Sequence, residues 1–442
     1  MSSNLTNNTQ RQEKYDECTQ YCIDTLLRKG ASKASCSLSI KKNQELNAAH
    51  GQMTLNRTTN NITLILKAIV ENKIATLVVN NLDKDTIDNA IEEVLTLANS
   101  SKDDAANDIA TYQEAKEFNS GPATGDINKM YDLFASYLAY TKETYPKTII
   151  EEAMFEFVKS TNYFRNSNKV DFFAQKGHYA FFSMFTSKEG TNISSFNYNG
   201  FDTNKLDREL KECASIDTLL LQSSEQIHSS SVDDKFVGDI IISPDCLMEF
   251  ISYLTGYLRD NSLITKTSMY QDKLGKKITD ERFTLHSNPV GENISNGYFI
   301  TGDGYEAQNS TIIENGVLKS FLLSQYGAAK TNMERAVNQG GAYEIKKGET
   351  SYSDMIKNVK KGILLCRFSG GYPAQNGDFS GVAKNSYYIE NGEIKHPINE
   401  TMISGNLEKL FLDIKDISSE TIDFGDSILP WMSFKNVTVS GK

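Results

Sequence analysis

Apolar positions first recur at helical spacing. Between 13 and 28, Tyr15, Cys18, Cys22 and Leu26 fall three or four residues apart with Thr19 and Ile23 beside them, predicting an amphipathic helix closed by Lys29-Gly30. Short strand-like runs follow at 34–40, 44–49, 61–70 and 73–79, the last two flanking the tight connection Glu71-Asn72, which predicts an antiparallel meander. From 83 to 98 the helical period returns in Ile87, Ala90, Ile91, Val94, Leu95 and Ala98, with Asp83 or Asp85 as N-cap, and this helix should pack on the meander. Residues 100–127 are polar and contain Gly121-Pro122 and Gly125-Asp126, predicting a loop. A helix over 127–144 follows, ended by Pro146. Strand-like alternation resumes from 149 to 197, with Ala153, Phe155 and Phe157, then Phe173, Ala180, Phe182 and Met184 around Lys176-Gly177. A further helix is predicted over 206–213.

The serine-rich stretch 222–235 has few apolar anchors and lies between patterned segments. It divides the chain into a domain at 1–222, a linker at 223–235 and a second domain at 236–442. The second domain opens with an apolar strand at 238–242, and Ser243-Pro244-Asp245 then suits a helix start, with Leu247, Phe250, Ile251, Leu254 and Leu258 buried along 245–258. Beyond it lie strands and Gly turns. Ile313-Glu-Asn-Gly-Val-Leu-Lys319 and Ile389-Glu-Asn-Gly-Glu-Ile-Lys395 are hairpin signals, because Asn-Gly takes the positive φ angles of a type I′ turn. The expected fold class is α+β: an N-terminal antiparallel sheet with covering helices, then a β-rich domain with Gly-rich hairpins and one principal helix.

Composition narrows the function. In 442 residues, Lys plus Arg number 46 against 57 Asp plus Glu, a net charge of −11, which lacks the basic excess that phosphate neutralisation requires. No nucleic-acid partner is expected. The start Met1-Ser-Ser-Asn-Leu-Thr lacks a basic, apolar secretory pattern, and the longest apolar runs are too short to span a bilayer. A cytoplasmic location without membrane contact is expected, with reduced thiols at Cys18, Cys22, Cys36, Cys213, Cys246 and Cys366. Asn-x-Ser/Thr matches such as Asn61-Ile-Thr63 would matter only in a secreted chain.

Few catalytic signatures appear. Zinc hydrolases commonly place two histidines one helical turn apart, but His50, His178, His228, His286 and His396 are separated by dozens of residues. No Ser stands in G-x-S-x-G, no Walker-type loop is present, and Cys366 follows an apolar run that reads as a buried strand. Gly302-Asp-Gly304-Tyr-Glu-Ala307 fits G-x-G-x-x-A, yet it runs on into a strand and not into the helix that would hold a pyrophosphate. There remains the Gly-rich passage 366–382, whose glycines Gly370, Gly371, Gly377 and Gly381 permit close backbone approach. It reads either as two tight turns of a β domain or as the wall of a peptide groove, with Gly371, Tyr372, Asn376 and Asp378 as candidates for peptide or partner contact.

The order Ile313-Glu-Asn-Gly, Gly377-Asp-Phe-Ser-Gly381, Tyr388-Ile-Glu-Asn-Gly and Ile403-Ser-Gly-Asn406 resembles the TldD/PmbA family, also called modulators of DNA gyrase, most strongly from about 238 to 441. That family has a TldD branch with H-E-x-x-x-H and a cysteine close to the C-terminus as metal ligands, and a PmbA (TldE) branch without them. At the corresponding helix this chain offers about Glu249 and Leu254, and the segment 424–436 has no Cys. The resemblance therefore implies a metal-free, non-catalytic TldE-like subunit, with no cofactor of its own, paired with a TldD-like H-E-x-x-x-H subunit that carries the zinc and cuts small or unfolded peptides. The gyrase label finds no support in the chain's charge. The alternative is a homodimeric peptide-binding or scaffold protein, and homodimerisation of the isolated chain stays open.

Overall fold

The protein is described by a computed structural model covering residues 2–232 and 234–441, with side chains from Glu13 onward. The N-terminal half runs α1 (Ser2–Arg28), β1 (Lys33–Ala49), β2 (Gln52–Val70), β3 (Lys73–Val79), α2 (Lys84–Ser100), β4 (Lys116–Ser120), α3 (Ile127–Thr144), β5 (Thr148–Asn166), β6 (Asp171–Glu189), β7 (Asn192–Ile193), β8 (Asn197–Thr203) and α4 (Ile216–Glu225). Its strands form one sheet in the order β3-β2-β1-β5-β6-β4, with β7 and β8 also paired to β6. All pairs are antiparallel except β4 with β6.

Alternation along these long strands puts the apolar set on one face. At one end Cys36, Leu38, Leu64, Leu66 and Tyr163 pack on Cys22 and Leu26 of α1 and on Ile91 and Val94 of α2. Farther along, Leu46, Phe155, Tyr179 and Phe181 pack on Phe134 and Tyr137 of α3 and on Leu219 and Leu220 of α4. The opposite face is polar: Ser35 pairs with Lys67 and Ser160 with Lys176.

Several local expectations change. The runs at 34–40 and 44–49 are one strand, because pairing with both β2 and β5 carries β1 through the polar Lys41-Lys42-Asn43. Within 100–127 the residues Lys116–Ser120 add a parallel edge strand. Only Leu210–Glu212 of the helix predicted at 206–213 is helical, as a 3-10 turn, and Ala214 at φ 47 breaks the chain before α4 begins. Lys176-Gly177 lies inside β6, and Gly177 is required there because a Cβ would come 2.0 Å from the Pro122 carbonyl oxygen. The stretch read as a linker starts inside α4, where Ser223 is buried against Ser187 and Ser194, and Gln226 donates to the Ser386 carbonyl at 2.9 Å.

The C-terminal half runs β9 (Phe236–Ile242), α5 (Pro244–Gly256), α6 (Asp260–Ile264), β10 (Leu285–Ser287), β11 (Ser310–Glu314), β12 (Val317–Leu318), α7 (Gln325–Thr331), β13 (Tyr343–Ile345) and α8 (Tyr352–Lys357). It continues with β14 (Lys361–Leu365), β15 (Arg367–Gly370), β16 (Asp378–Lys384), β17 (Ser386–Glu390), β18 (Glu393–Ile398), β19 (Thr401–Asn406), α9 (Leu407–Leu412), β20 (Ile414–Asp423) and β21 (Ile428–Ser440). The sheet order is β12-β11-β10-β13-β21-β9-β14-β17-β18, with β19, β16 and β15 branching from β21 and with β20 also paired to β21. Both Asn-Gly hairpins form as read, with φ 47 and 82 at Asn315-Gly316 and 51 and 80 at Asn391-Gly392.

The halves meet closely. Phe118 stacks on Phe299 at 5.1 Å, Asp202 donates its N–H to the Phe424 carbonyl, and Asn296 Nδ2 donates to Asp202 Oδ2 at 2.9 Å. Burial at this seam pushes the Asp202 carboxyl up to about 6, with Asp426 and Glu156 adding to the rise and Asn296 and Lys176 opposing it. Burial likewise holds the neighbouring His178 down to about 4, aided by Lys176 and Lys41. A carboxyl whose folded pKa lies above its unfolded value destabilises the fold when ionised, and that penalty fades as pH falls through about 6. Asp202→Asn is therefore expected to stabilise the protein at pH 8, by on the order of 2 kcal/mol, with about half of that gain left at pH 5 and none below about pH 3.5. Equal denaturation midpoints at pH 8 would contradict the shift.

Candidate functional site

The passage 366–382 comes together with α5. The buried run Ile240–Ile242 delivers the chain to Ser243, which caps α5 through its backbone while its N–H donates to the Leu365 carbonyl at 3.0 Å. Pro244 fills the first turn, where its missing N–H costs nothing. Leu247, Phe250, Ile251 and Leu254 then point into the core, where Phe250 meets Phe368 of β15 at 5.3 Å and Phe379 of β16 at 5.6 Å between ring centroids. The helix turns a second stripe toward the hairpin loop: Glu249, Tyr253 and Tyr257, four residues apart.

On that stripe Tyr253 donates its hydroxyl to Glu249, and its ring meets Tyr372 edge-on at 5.5 Å. Tyr257 donates to the Ala374 carbonyl at 2.7 Å. Burial raises the Glu249 carboxyl, against the Tyr253 hydrogen bond and the Arg367 charge. Arg367 itself stacks on Tyr198 at 4.0 Å and donates to the Asp245 carbonyl at 3.1 Å, tying β15 to the N-terminal half.

The four candidate residues separate into two pairs. Asn376 and Asp378 serve the loop: Asn376 Oδ1 accepts the Asp378 N–H at 3.1 Å, Asn376 Nδ2 donates to Asp378 Oδ2 at 2.7 Å, and Asn406 Nδ2 donates to both the Asn376 carbonyl and Asp378 Oδ1. Hydrogen bonds from Asn406 and Asn376 hold the Asp378 carboxyl below its usual range. Gly377 at φ 85 lets the chain turn there, and its carbonyl accepts from Leu407. By contrast, Gly371 has open space around it and Tyr372 is 88% exposed. Beside them β15 pairs, among the described residues, with β16 alone, leaving its other edge without a strand partner there, next to exposed Ser369 and Gly370. Sequence reasoning missed Tyr253 and Tyr257 as parts of this surface, although their four-residue spacing from Glu249 was a readable signal.

The residues at α5 do not fit a zinc ion. Leu254 is fully buried in the core, Glu249 is engaged by Tyr253, and burial raises the thiols of Cys246 and Cys366, the latter to about 12, so that thiolate is disfavoured. Among the described residues, no three His, Cys, Asp or Glu gather as metal ligands. His228 pairs with Glu189, His286 with Thr311 and His396 with Ser230, at separate places in the fold.

Residues 237–441 match the PmbA/TldA metallopeptidase C-terminal domain. Curated relatives include the metalloprotease PmbA of Escherichia coli O157:H7, 27% identical over 204 residues, 44% of each chain. Another is a zinc metalloprotease TldD homologue of Saccharolobus solfataricus, 28% identical over 202 residues, 42% of this chain and 44% of the relative. The aligned region thus spans less than half the length of these relatives. Solved structures cover nearly the whole fold: TldE from Thermococcus kodakarensis has a TM-score of 0.79 at 16% identity, covering 96% of this chain and 100% of that one. A Bacteroides thetaiotaomicron protein described as a modulator of DNA gyrase has a TM-score of 0.86 at 19% identity, covering 97% and 99%.

Proposed function

Because residues 237–441 form a PmbA/TldD-family C-terminal domain on a TldE-like fold, we propose that this chain is the metal-free member of a TldD/TldE-type peptidase pair, acting in the cytoplasm on small or unfolded peptides. The observation that carries this reading is the stripe on α5, where Glu249 and Tyr253 bond to each other and Leu254 is turned into the core. A TldD-like H-E-x-x-x-H subunit supplies the zinc, and this chain supplies a surface. An extended peptide lies along the unpaired edge of β15, exchanging backbone hydrogen bonds, while Tyr372 covers one of its side chains and helps exclude water. Asn376, Asp378 and Asn406 keep the loop in shape without touching the peptide.

Co-expression with a TldD-like paralogue tests the proposal. The pair is expected to co-purify and to hydrolyse peptides in a chelator-sensitive way, with this chain inactive alone. Tyr372→Ala should leave pairing and melting temperature intact and lower kcat/KM roughly tenfold, as for an exposed aromatic contact to the substrate. Chelator-insensitive hydrolysis by the isolated chain, or failure to pair with any such paralogue, would refute it.

A further inference from the structure

A second cavity in the molecule shares no residue with α5 or the 371–377 loop. The polar face of the N-terminal sheet meets the segment 297–302 across a cavity of about 370 Å³, within the size range of small-molecule sites. Its sheet wall carries Ser35, Ser37, Lys67, Ser160 and Asn162, and its apolar wall includes Ile65, Phe164 and Ile300. Lys67 and Gly302 also line a wider cleft of about 830 Å³ next to it, which gives the cavity a mouth.

Lys67 is half-buried, yet no hydrogen bond or ion pair holds its ammonium among the described residues. The carboxylates around it are taken. Asp303 is gripped by Arg335 at 2.7 Å and also accepts from Thr301, Gln339 and the Gln325 N–H. Asp104 pairs with Lys330 at 3.0 Å and Asp108 with Lys33 at 2.5 Å. The other lysine on the wall, Lys176, places two of its three N–H donors on the neutral Asn296 Oδ1 and Gly297 carbonyl. Lys67 is therefore the wall ammonium without a hydrogen-bond partner among the described residues, in a chain whose net charge is −11. Burial lowers the Lys67 pKa and the charge of Asp303 opposes it without a direct ion pair.

We propose that this cavity binds a small organic monoanion, a carboxylate on an apolar body, with Lys67 as counter-ion, the hydroxyls of Ser35, Ser37 and Ser160 and the Asn162 amide as donors, and Ile65, Phe164 and Ile300 against the apolar part. Lys67 keeps its N–H donors for a carboxylate, whereas Lys176, though still charged, already has two of its three on the neutral Asn296 and Gly297 oxygens and so offers a phosphate dianion little. The free C-terminus of a short peptide has this chemistry. The inference stands on the cavity alone and survives if the peptidase pairing fails.

Calorimetric titration of the full chain with N-acetyl-Ala-Phe, its C-terminal amide and inorganic phosphate tests it. The acid is expected to bind, with the amide at least tenfold weaker and phosphate without competition. Lys67→Met should weaken N-acetyl-Ala-Phe at least tenfold while keeping or raising the melting temperature, since it removes a desolvated charge. Ser37→Leu, which fills the cavity and leaves the charge, should do the same, whereas Tyr372→Ala should not. Equal binding of acid and amide, indifference to both cavity variants, or displacement by phosphate would overturn the proposal.

Discussion

Phe250→Ala is expected to cost about 3–5 kcal/mol of unfolding free energy, the largest effect of any single substitution at the candidate site. Phe250 is fully buried and is the ring on which α5, β15 and β16 converge, touching Phe368, Phe379 and Tyr253. The glycines around it cannot refill the space: a Cβ on Gly370 or Gly381 would already come within 2.5 Å of the Phe368 ring, so this region is packed around that ring and collapses poorly once its neighbour is removed. Tyr253, which carries Tyr372 on its other side, would lose its backing. Denaturant midpoints measure the loss, and amide exchange should show faster opening at 371–377 than at the distant hairpin Asn315-Gly316. A destabilisation under about 1 kcal/mol would mean that α5 is not anchored through this ring.

Arg335→Met is expected to cost about 2–4 kcal/mol at neutral pH, and the cost should shrink in acid. Arg335 holds Asp303 through Nε at 2.8 Å and Nη2 at 2.7 Å, donates to the Ala336 carbonyl and stacks on Tyr305 at 3.8 Å. Side-chain exposures of 20% and 15% place the pair mostly out of water, where a carboxylate that loses its partner is costly. Burial works to raise the Asp303 carboxyl, but hydrogen bonds from Arg335 and Thr301 outweigh it and hold it below its ordinary value of 3.8. A depressed acid contributes stability that is present above its unfolded pKa and is lost as pH falls through the folded one. The gap between wild type and variant should therefore be full at pH 7 and narrow as the pH falls through the range where Asp303, raised by burial once Arg335 is gone, protonates in the variant. A gap independent of pH would assign the loss to packing against Tyr305 instead.

Local patterns alone determined much of this protein. The helix expected over 127–144 is the one observed, Asp83 caps α2 through its side chain, and the strand–Ser-Pro–helix order of β9 and α5 is as read. These succeed because a cap, a proline or an Asn-Gly pair acts over a few residues, and a helical stripe needs no distant partner to be visible. The family resemblance was legible for the same reason, since its motifs are turns and short strands in a fixed order.

Tertiary structure decided what depends on partners far along the chain. Lys41-Lys42-Asn43 reads as a break, yet two neighbouring strands carry β1 straight through it. The serines at 223 and beyond read as a tether, but Ser223 is drawn into a buried hydroxyl cluster with Ser187 and Ser194. Asn376 and Asp378 read as candidate contacts, and folding also brings Asn406, from β19, to bond both of them and hold the loop, while Gly371 and Tyr372 stand open beside it. Lys67 is one lysine among many until folding assigns every nearby carboxylate to another cation and leaves its ammonium facing a cavity. Turn and cap energies are set by adjacent residues. The pairing of strands and the neutralisation of buried charge are set by whichever groups the fold brings together, and a linear pattern does not contain that choice.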